Sequence, residues 1–395
     1  MWIALYIFIA LCSVAITPIP GNDQFWIPKE FVYTVFAPII IALPLLFDNQ
    51  KVITFKNKWV AAFLVYTFLG FAYYFYFPLL LSAPDGGVSW NLWNFRPTMN
   101  VVLGVFLLIT IVENTDDLKR WINVGKFLCW VGFLFSVYAL LQWVGVDQIF
   151  RGNADWVHVN NEVNRNAFMV TFLSNKFLTA SYVTVLSPMC LMFKQFRYKA
   201  MYLTMFLAVV LADTAINTFA FVFVFFVYLV FSRNWKGLLI SIVLCGGIFS
   251  ILSNVYSDFL STSGRFELWQ QSVIAPIKEG FLRSYTGFGL GSYALKFKSG
   301  NLLAASAHNE SVQIFHDGGL IAIVIVFGYL VTLVKRVFFL ILRSNSMLVI
   351  GYSCGLVAYI ITSFGGFPLR IAPLALVLIL YIASLESQLQ GEQYV

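Results

Sequence analysis

Charged side chains are scarce in this 395-residue chain: Asp, Glu, Lys and Arg make up 11% of it, against 60% hydrophobic and 18% aromatic residues, with a mean hydropathy of +0.82. That much apolar surface exceeds what a water-soluble core can enclose, which excludes an ordinary soluble domain and makes lipid the natural solvent. Paired cysteines are missing too. Cys12, Cys129, Cys190, Cys245 and Cys354 fall in five different apolar stretches and form no C-x-x-C, so neither a disulfide framework nor a zinc site is indicated. There is no H-E-x-x-H, and the acids form no D-x-D cluster; no metal or other cofactor is expected. The formal charge of +7 is dispersed through short loops, which argues against a nucleic-acid partner.

What is present is a succession of apolar stretches, each about long enough to cross a hydrocarbon layer of roughly 30 Å. They run near 1–16, 31–47, 59–81, 98–112, 121–144, 174–193, 200–212, 214–231, 237–252, 311–334, 347–364 and 371–385. The first has no basic n-region and no small-residue cleavage site before Pro18, so it reads as a retained helix rather than a signal peptide. The expected fold is an all-α polytopic membrane protein of about 12 transmembrane helices with one large outer-face (periplasmic) loop domain. Residues 1–252 form a bundle of about nine spans, 253–310 the loop domain, and 311–395 the C-terminal transmembrane helices. Alternate loops hold Lys51, Lys56 and Lys58; Lys119 and Arg120; Lys194, Arg197 and Lys199; Arg233 and Lys236; and Lys335, Arg336 and Arg343. The positive-inside rule then places both termini in the cytoplasm. The weak point of the layout is 200–231, where only Asp213 interrupts two short spans. Asp213, Thr214 and Asn217 read either as the lining of a cavity or as a polar contact between helices.

The loop 253–310 is too long for a connector and too aromatic for disorder. Gly264 with Glu267 three residues on marks a helix start, Phe266, Trp269 and Val273 recur at helical spacing, and Pro276 is expected to end the helix. Its apolar stripe reads most simply as packing on the bundle or membrane surface. The run Gly287-Phe288-Gly289-Leu290-Gly291 lacks the strand and spacing of a nucleotide-binding loop, and reads as a turn allowing close backbone approach.

The outer side bears Arg96, Lys176, Arg265, Arg283 and Arg370 among other cations. Snorkelling accounts for some of them; an anionic ligand, most naturally a phosphate, would account for the group. His158, His308 and His316 are the only histidines, all at or beyond the outer boundary. His308 follows Ala304-Ala305-Ser306-Ala307 and opens His308-Asn309-Glu310 just before a long span. An imidazole there suits proton removal near neutral pH, with a purely structural histidine as the other reading.

Taken in order, Arg265 with Trp269, the run 287–293 ending Ser292-Tyr293, and Ala307-His308-Asn309-Glu310 with Gln313 and Gly318-Gly319 resemble the O-antigen ligase and Wzy O-antigen polymerase superfamily. The likeness covers roughly 255–330, with a weaker echo at Ser174–Ala180 and Pro188. It departs from the family where a Ser-Arg-Gly is common, because Asp213–Thr218 contains no arginine.

The resemblance implies an enzyme of the bacterial inner membrane that acts on surface polysaccharide or lipopolysaccharide. It would transfer a glycan from an undecaprenyl-diphosphate-linked donor to a lipid A-core or glycan acceptor, without a metal. His308 would act as general base and Arg265 would stabilise the diphosphate, with Arg96, Lys176, Arg283, Asn309 and Arg370 in the substrate-binding set. Membrane lipids are the remaining partner. Ligase, polymerase and protein oligosaccharyltransferase are not separated by sequence. A transporter or lipid-linked glycan flippase is the alternative from another class; it predicts an internal repeat, and none is visible.

Overall fold

A computed structural model describes residues 1–14, 23–47, 58–62, 64–67, 96–114, 117–146, 158–159, 162–163, 171, 173, 176–242, 265–289, 292–293, 307–344, 346–366, 369 and 371–392. These are helical apart from turns and one two-residue strand pair, His158–Val159 with Glu162–Val163, antiparallel.

The described helices of the N-terminal part include α1 (Trp2–Val14), α2 (Asp23–Phe47), α3 (Arg96–Glu113), α4 (Leu118–Trp143), α5 (Lys176–Leu186), α6 (Pro188–Leu191), α7 (Phe196–Leu211) and α8 (Ala215–Phe231). Then come α9 (Arg265–Lys278), α10 (Phe281–Thr286), α11 (Glu310–Ser344), α12 (Met347–Ser363) and α13 (Ala372–Glu392). The local chemistry accounts for their limits. Asp117 caps α4 by accepting a hydrogen bond from the Lys119 amide. Pro188 stands at the first turn of α6, where its missing N–H is tolerated and the preceding helix must stop. Between α7 and α8 only three residues intervene, with Asp213 in the left-handed region at φ 52°. This is the near loop-free pair that the sequence suggested.

Three described helices, Leu118–Trp143, Glu310–Ser344 and residues 372–390, are long and apolar enough to cross a membrane, and four more are apolar but shorter. Outward positions on them are apolar: Leu134 on α4, and Val324, Val331, Phe338 and Phe339 on α11, are exposed. An apolar surface of this extent belongs in lipid, and the chain is a helical membrane protein.

Its interior is packed, and several buried polar side chains bond to backbone carbonyls or to one another across helices, as a bilayer favours, although the Thr110, Tyr202 and Tyr359 hydroxyls make no hydrogen bond. Tyr352 donates to the Trp121 carbonyl at 2.8 Å, Tyr381 to the Val185 carbonyl at 2.7 Å, and Ser13 pairs with Tyr182 at 2.6 Å. Close approach uses small residues, with Tyr381 seated on Gly355 and Met205 on Gly132. Asn217 is fully buried at the start of α8: its Oδ1 accepts from Ser181 at 3.0 Å, and its Nδ2 faces the Phe177 carbonyl and the Thr214 hydroxyl. It is thus a polar contact joining α5 to α8.

α11 is two helices in series. Gly319 leaves helical geometry at φ 63°, ψ −164°, so a short segment, 310–318, precedes the long apolar one. The candidate site lies beside the segment before the kink.

Candidate functional site

α9 begins at Arg265 and runs straight through Pro276 to Lys278, where the sequence suggested that Pro276 would end it. Its buried stripe is Leu268, Ser272 and Pro276, at i, i+4 and i+8, while Phe266 is 65% exposed. Of the expected stripe of Phe266, Trp269 and Val273, Phe266 therefore faces away from the packed side, while Trp269 and Val273 are partly buried at its edge. The reason lies in the partner. α9 packs on the 307–318 segment through polar bonds, and these select Ser272 and Trp269. Trp269 Nε1 donates to the Ala307 carbonyl at 2.8 Å. Ser272 Oγ bonds the Leu268 carbonyl at 2.6 Å and the Tyr293 hydroxyl at 2.7 Å. With its own proton given to Leu268, Ser272 accepts from Tyr293.

Between α9 and α11 the chain makes the turn that the glycine run suggested. Gly287 and Gly289 lie at φ 66° and 103°. The Phe288 amide donates to the His316 carbonyl at 3.1 Å, and the Gly289 amide to the Asp317 carbonyl at 2.7 Å. Asp317 closes the joint. Its Oδ1 accepts from Ser292 Oγ, from the Tyr293 amide and from His316 Nδ1, each at 3.1 Å. His316 lies fully buried between the rings of Phe288 and Tyr293, at centroid distances of 4.9 and 4.7 Å. No task was assigned to His316 or Asp317 from sequence. Their adjacency immediately before Gly318-Gly319 was the available signal, since a kinked helix end needs its carbonyls paired.

Of the residues singled out by sequence, two are brought together. His308 sits half-buried in the left-handed region at φ 51°, just before the 310–318 helix. Burial, and then the charge of Arg265, push its imidazole below the ordinary value of 6.5, so Arg265 lies within electrostatic reach. At neutral pH such an imidazole is unprotonated and able to accept a proton. Arg265 donates to the Gly365 carbonyl at 3.2 Å, and its guanidinium lies 6.0 Å from the Phe177 ring. A cation against the carbonyl end of α12 is favourably placed. Phe177 adjoins Lys176, the partly exposed first residue of α5.

The other members of the proposed set are placed differently. Asn309 is buried, and its Oδ1 accepts from the Ser311 and Val312 amides at 3.0 and 3.2 Å. That oxygen is committed to capping the helix. Arg283 turns toward its own loop, bonding the Gly287 carbonyl at 3.3 Å and lying 5.6 Å from the Phe288 ring. Arg96 opens α3, but its side chain, like the whole of Arg370, lies outside the described residues. Among the described residues no three His, Cys, Asp or Glu side chains gather as metal ligands.

No family model matches the chain, and no curated protein matches it either. The resemblance to the O-antigen ligase and polymerase superfamily rests on the residues quoted above.

Proposed function

We propose that the chain is a metal-independent glycosyltransferase of the O-antigen ligase or polymerase type, acting at the periplasmic face of a bacterial inner membrane. The observation that carries this reading is the bond from Trp269, one turn from Arg265, to the carbonyl of Ala307, which sets the helix of Arg265 against the residue before His308, at the entry to a helix apolar enough to span the bilayer.

The pair suits displacement on a lipid-linked donor. His308 takes the proton of the acceptor hydroxyl as its oxygen bonds the anomeric carbon. The bond from that carbon to the diphosphate oxygen breaks, its electrons leave with the diphosphate, and Arg265 stabilises the charge that develops there. One in-line step of this kind inverts the anomeric centre. Lys176 is the further cation assigned to the donor, on the helix whose Phe177 lies against Arg265, and apolar helix faces take the undecaprenyl chain. In this reading the chain crosses the membrane about twelve times with both termini cytoplasmic.

The test is glycan transfer from a purified undecaprenyl-diphosphate donor by the full chain in detergent, with chelator present, across lipid A-core and glycan acceptors. Product from the wild type, and none from His308→Ala or Arg265→Ala, supports the assignment and identifies the acceptor. Equal product from all three proteins moves the chemistry elsewhere. No product from any of them removes the assignment and favours a transporter or flippase.

A further inference from the structure

Two segments distant in sequence must be held in register if Arg265 and His308 are to act on one substrate. We propose that Trp269 is the positioning residue that sets this register, its indole N–H holding the carbonyl of Ala307 so that His308 is presented to Arg265. The inference rests on the reading of Arg265 and His308 as the working pair.

The argument begins with the helix. Residues four apart on an α-helix lie one above the other on the same face, about one turn of roughly 5.4 Å apart. Trp269 and Arg265 are such a pair on α9, so whatever fixes the azimuth of Trp269 fixes that of Arg265. Trp269 is fixed by its 2.8 Å bond to the residue that immediately precedes His308.

The receiving segment is itself pinned. The Ala307 amide donates to Gln313 Oε1 at 3.4 Å, the Gln313 amide donates to the Asn309 carbonyl at 3.1 Å, and Asn309 caps the helix. His308 therefore lies between two anchored neighbours. It needs them, because a non-glycine residue held in the left-handed region is strained and persists only where its surroundings over-determine it. Trp269 ties this frame to the helix bearing Arg265. The Ser272–Tyr293 bond joins α9 to the same region two turns from Arg265, so it secures the helix without addressing His308 directly.

The experiment compares Trp269→Phe, which keeps an aromatic ring and removes the N–H, with Ser272→Ala, in the full chain in nanodiscs. Two quantities are read: the titration midpoint of His308 by imidazole NMR, assigned against His308→Gln, and kcat and KM for the lipid-linked donor. With Trp269→Phe the His308 midpoint rises toward its ordinary value as Arg265 loses register. Then kcat falls roughly tenfold or more, the scale expected from misplacement of a reacting group, while donor KM changes little. With Ser272→Ala thermal stability falls and the midpoint stays. If the midpoint and kcat of Trp269→Phe match those of the wild type, or if Ser272→Ala moves the midpoint equally, the proposal fails. Should Trp269→Phe not fold, benzothienylalanine at position 269, with sulfur in place of the N–H, carries the same comparison. An absence of transfer by the wild type would overturn the enzymatic reading alone, and the NMR midpoints would still decide whether Trp269 sets the register.

Discussion

Gly287 and Gly319 interlock: a Cβ on Gly287 would stand 2.5 Å from the carbonyl of Asp317, and one on Gly319 would meet the Tyr285 carbonyl and the Gly287 amide. Both also take positive φ with ψ near −160°, a region open essentially to glycine alone. The fold thus brings the turn after α10 onto the kink of α11 with no room for any side chain.

Gly287→Ala and Gly319→Ala are therefore expected to be among the most damaging single substitutions in the described residues. Each adds a backbone overlap to a conformational cost of about 1–3 kcal/mol. Gly280→Ala is the control, because Gly280 has φ 107° but nothing within 4 Å of the added carbon. Thermal unfolding in one detergent should rank wild type above Gly280→Ala, and Gly280→Ala above the other two. Equal losses at all three positions would mean that backbone conformation, and not the interlock, is responsible.

The pH response of His308 follows from the direction of its shift. Burial and Arg265 disfavour the imidazolium in the folded chain, so the unfolded chain binds the proton more readily. The resulting stability is fully present above the unfolded value near 6.5, and is lost as pH falls through the lower folded value. Transfer, if His308 is the base, should show an acid limb with its midpoint below 6.5. Arg265→Gln removes the smaller of the two causes and should move that midpoint up without restoring it fully, because burial is the larger one. A pH–rate profile of the residual activity, or imidazole NMR where activity is too low, checks this. A midpoint unmoved by Arg265→Gln would show that the two groups do not interact.

Much of the layout was legible because helix boundaries follow local chemistry. Apolar length gave α4 and α12 to within a few residues, and the near-continuous 200–231 stretch divided at Asp213 as its single charge suggested. The segment around the site was legible in its residues and not in its packing. Helical spacing alone favoured Phe266, Trp269 and Val273 as the buried stripe, yet polar bonds to Ala307 and Tyr293 turned Leu268, Ser272 and Pro276 inward instead. Those partners lie more than twenty residues away, so no local pattern carries them. Pro276 likewise sits inside the helix, near its last turn.

Asn217 offers a test of the two readings of the α7–α8 junction. Its carboxamide is engaged by Ser181, Phe177 and Thr214, so Asn217→Ala leaves a buried hydroxyl and carbonyl without that partner. The expected loss is about 1 kcal/mol, the scale of polar contacts between membrane helices. Donor KM should be unaffected once the folded fraction is corrected for. A raised KM with unchanged thermal stability would instead assign Asn217 to the substrate.

The far end of α11 carries a contact whose two halves should respond unequally. Arg336 donates to Glu386 on α13 at 3.0 Å, and Tyr329 donates to the other carboxylate oxygen at 3.2 Å. The Arg336 side chain is 33% exposed and the Glu386 side chain 10%. Arg336→Met therefore leaves a nearly buried carboxylate held by Tyr329 without its cation, and burying an uncompensated charge is strongly unfavourable. Glu386→Gln leaves a cation that can extend toward headgroups and water, and the Gln oxygen still accepts from Tyr329. The arginine substitution should lower stability by about 1–3 kcal/mol, between the surface and buried limits for ion pairs, and the glutamate substitution by less. In the double variant Arg336→Met with Glu386→Gln the charge is gone from both sides, so part of the loss should be recovered relative to Arg336→Met alone. Thermal unfolding of the four proteins closes the cycle. Strictly additive losses would show that the pair is a contact of position only, and that α11 and α13 are held together there by their apolar faces.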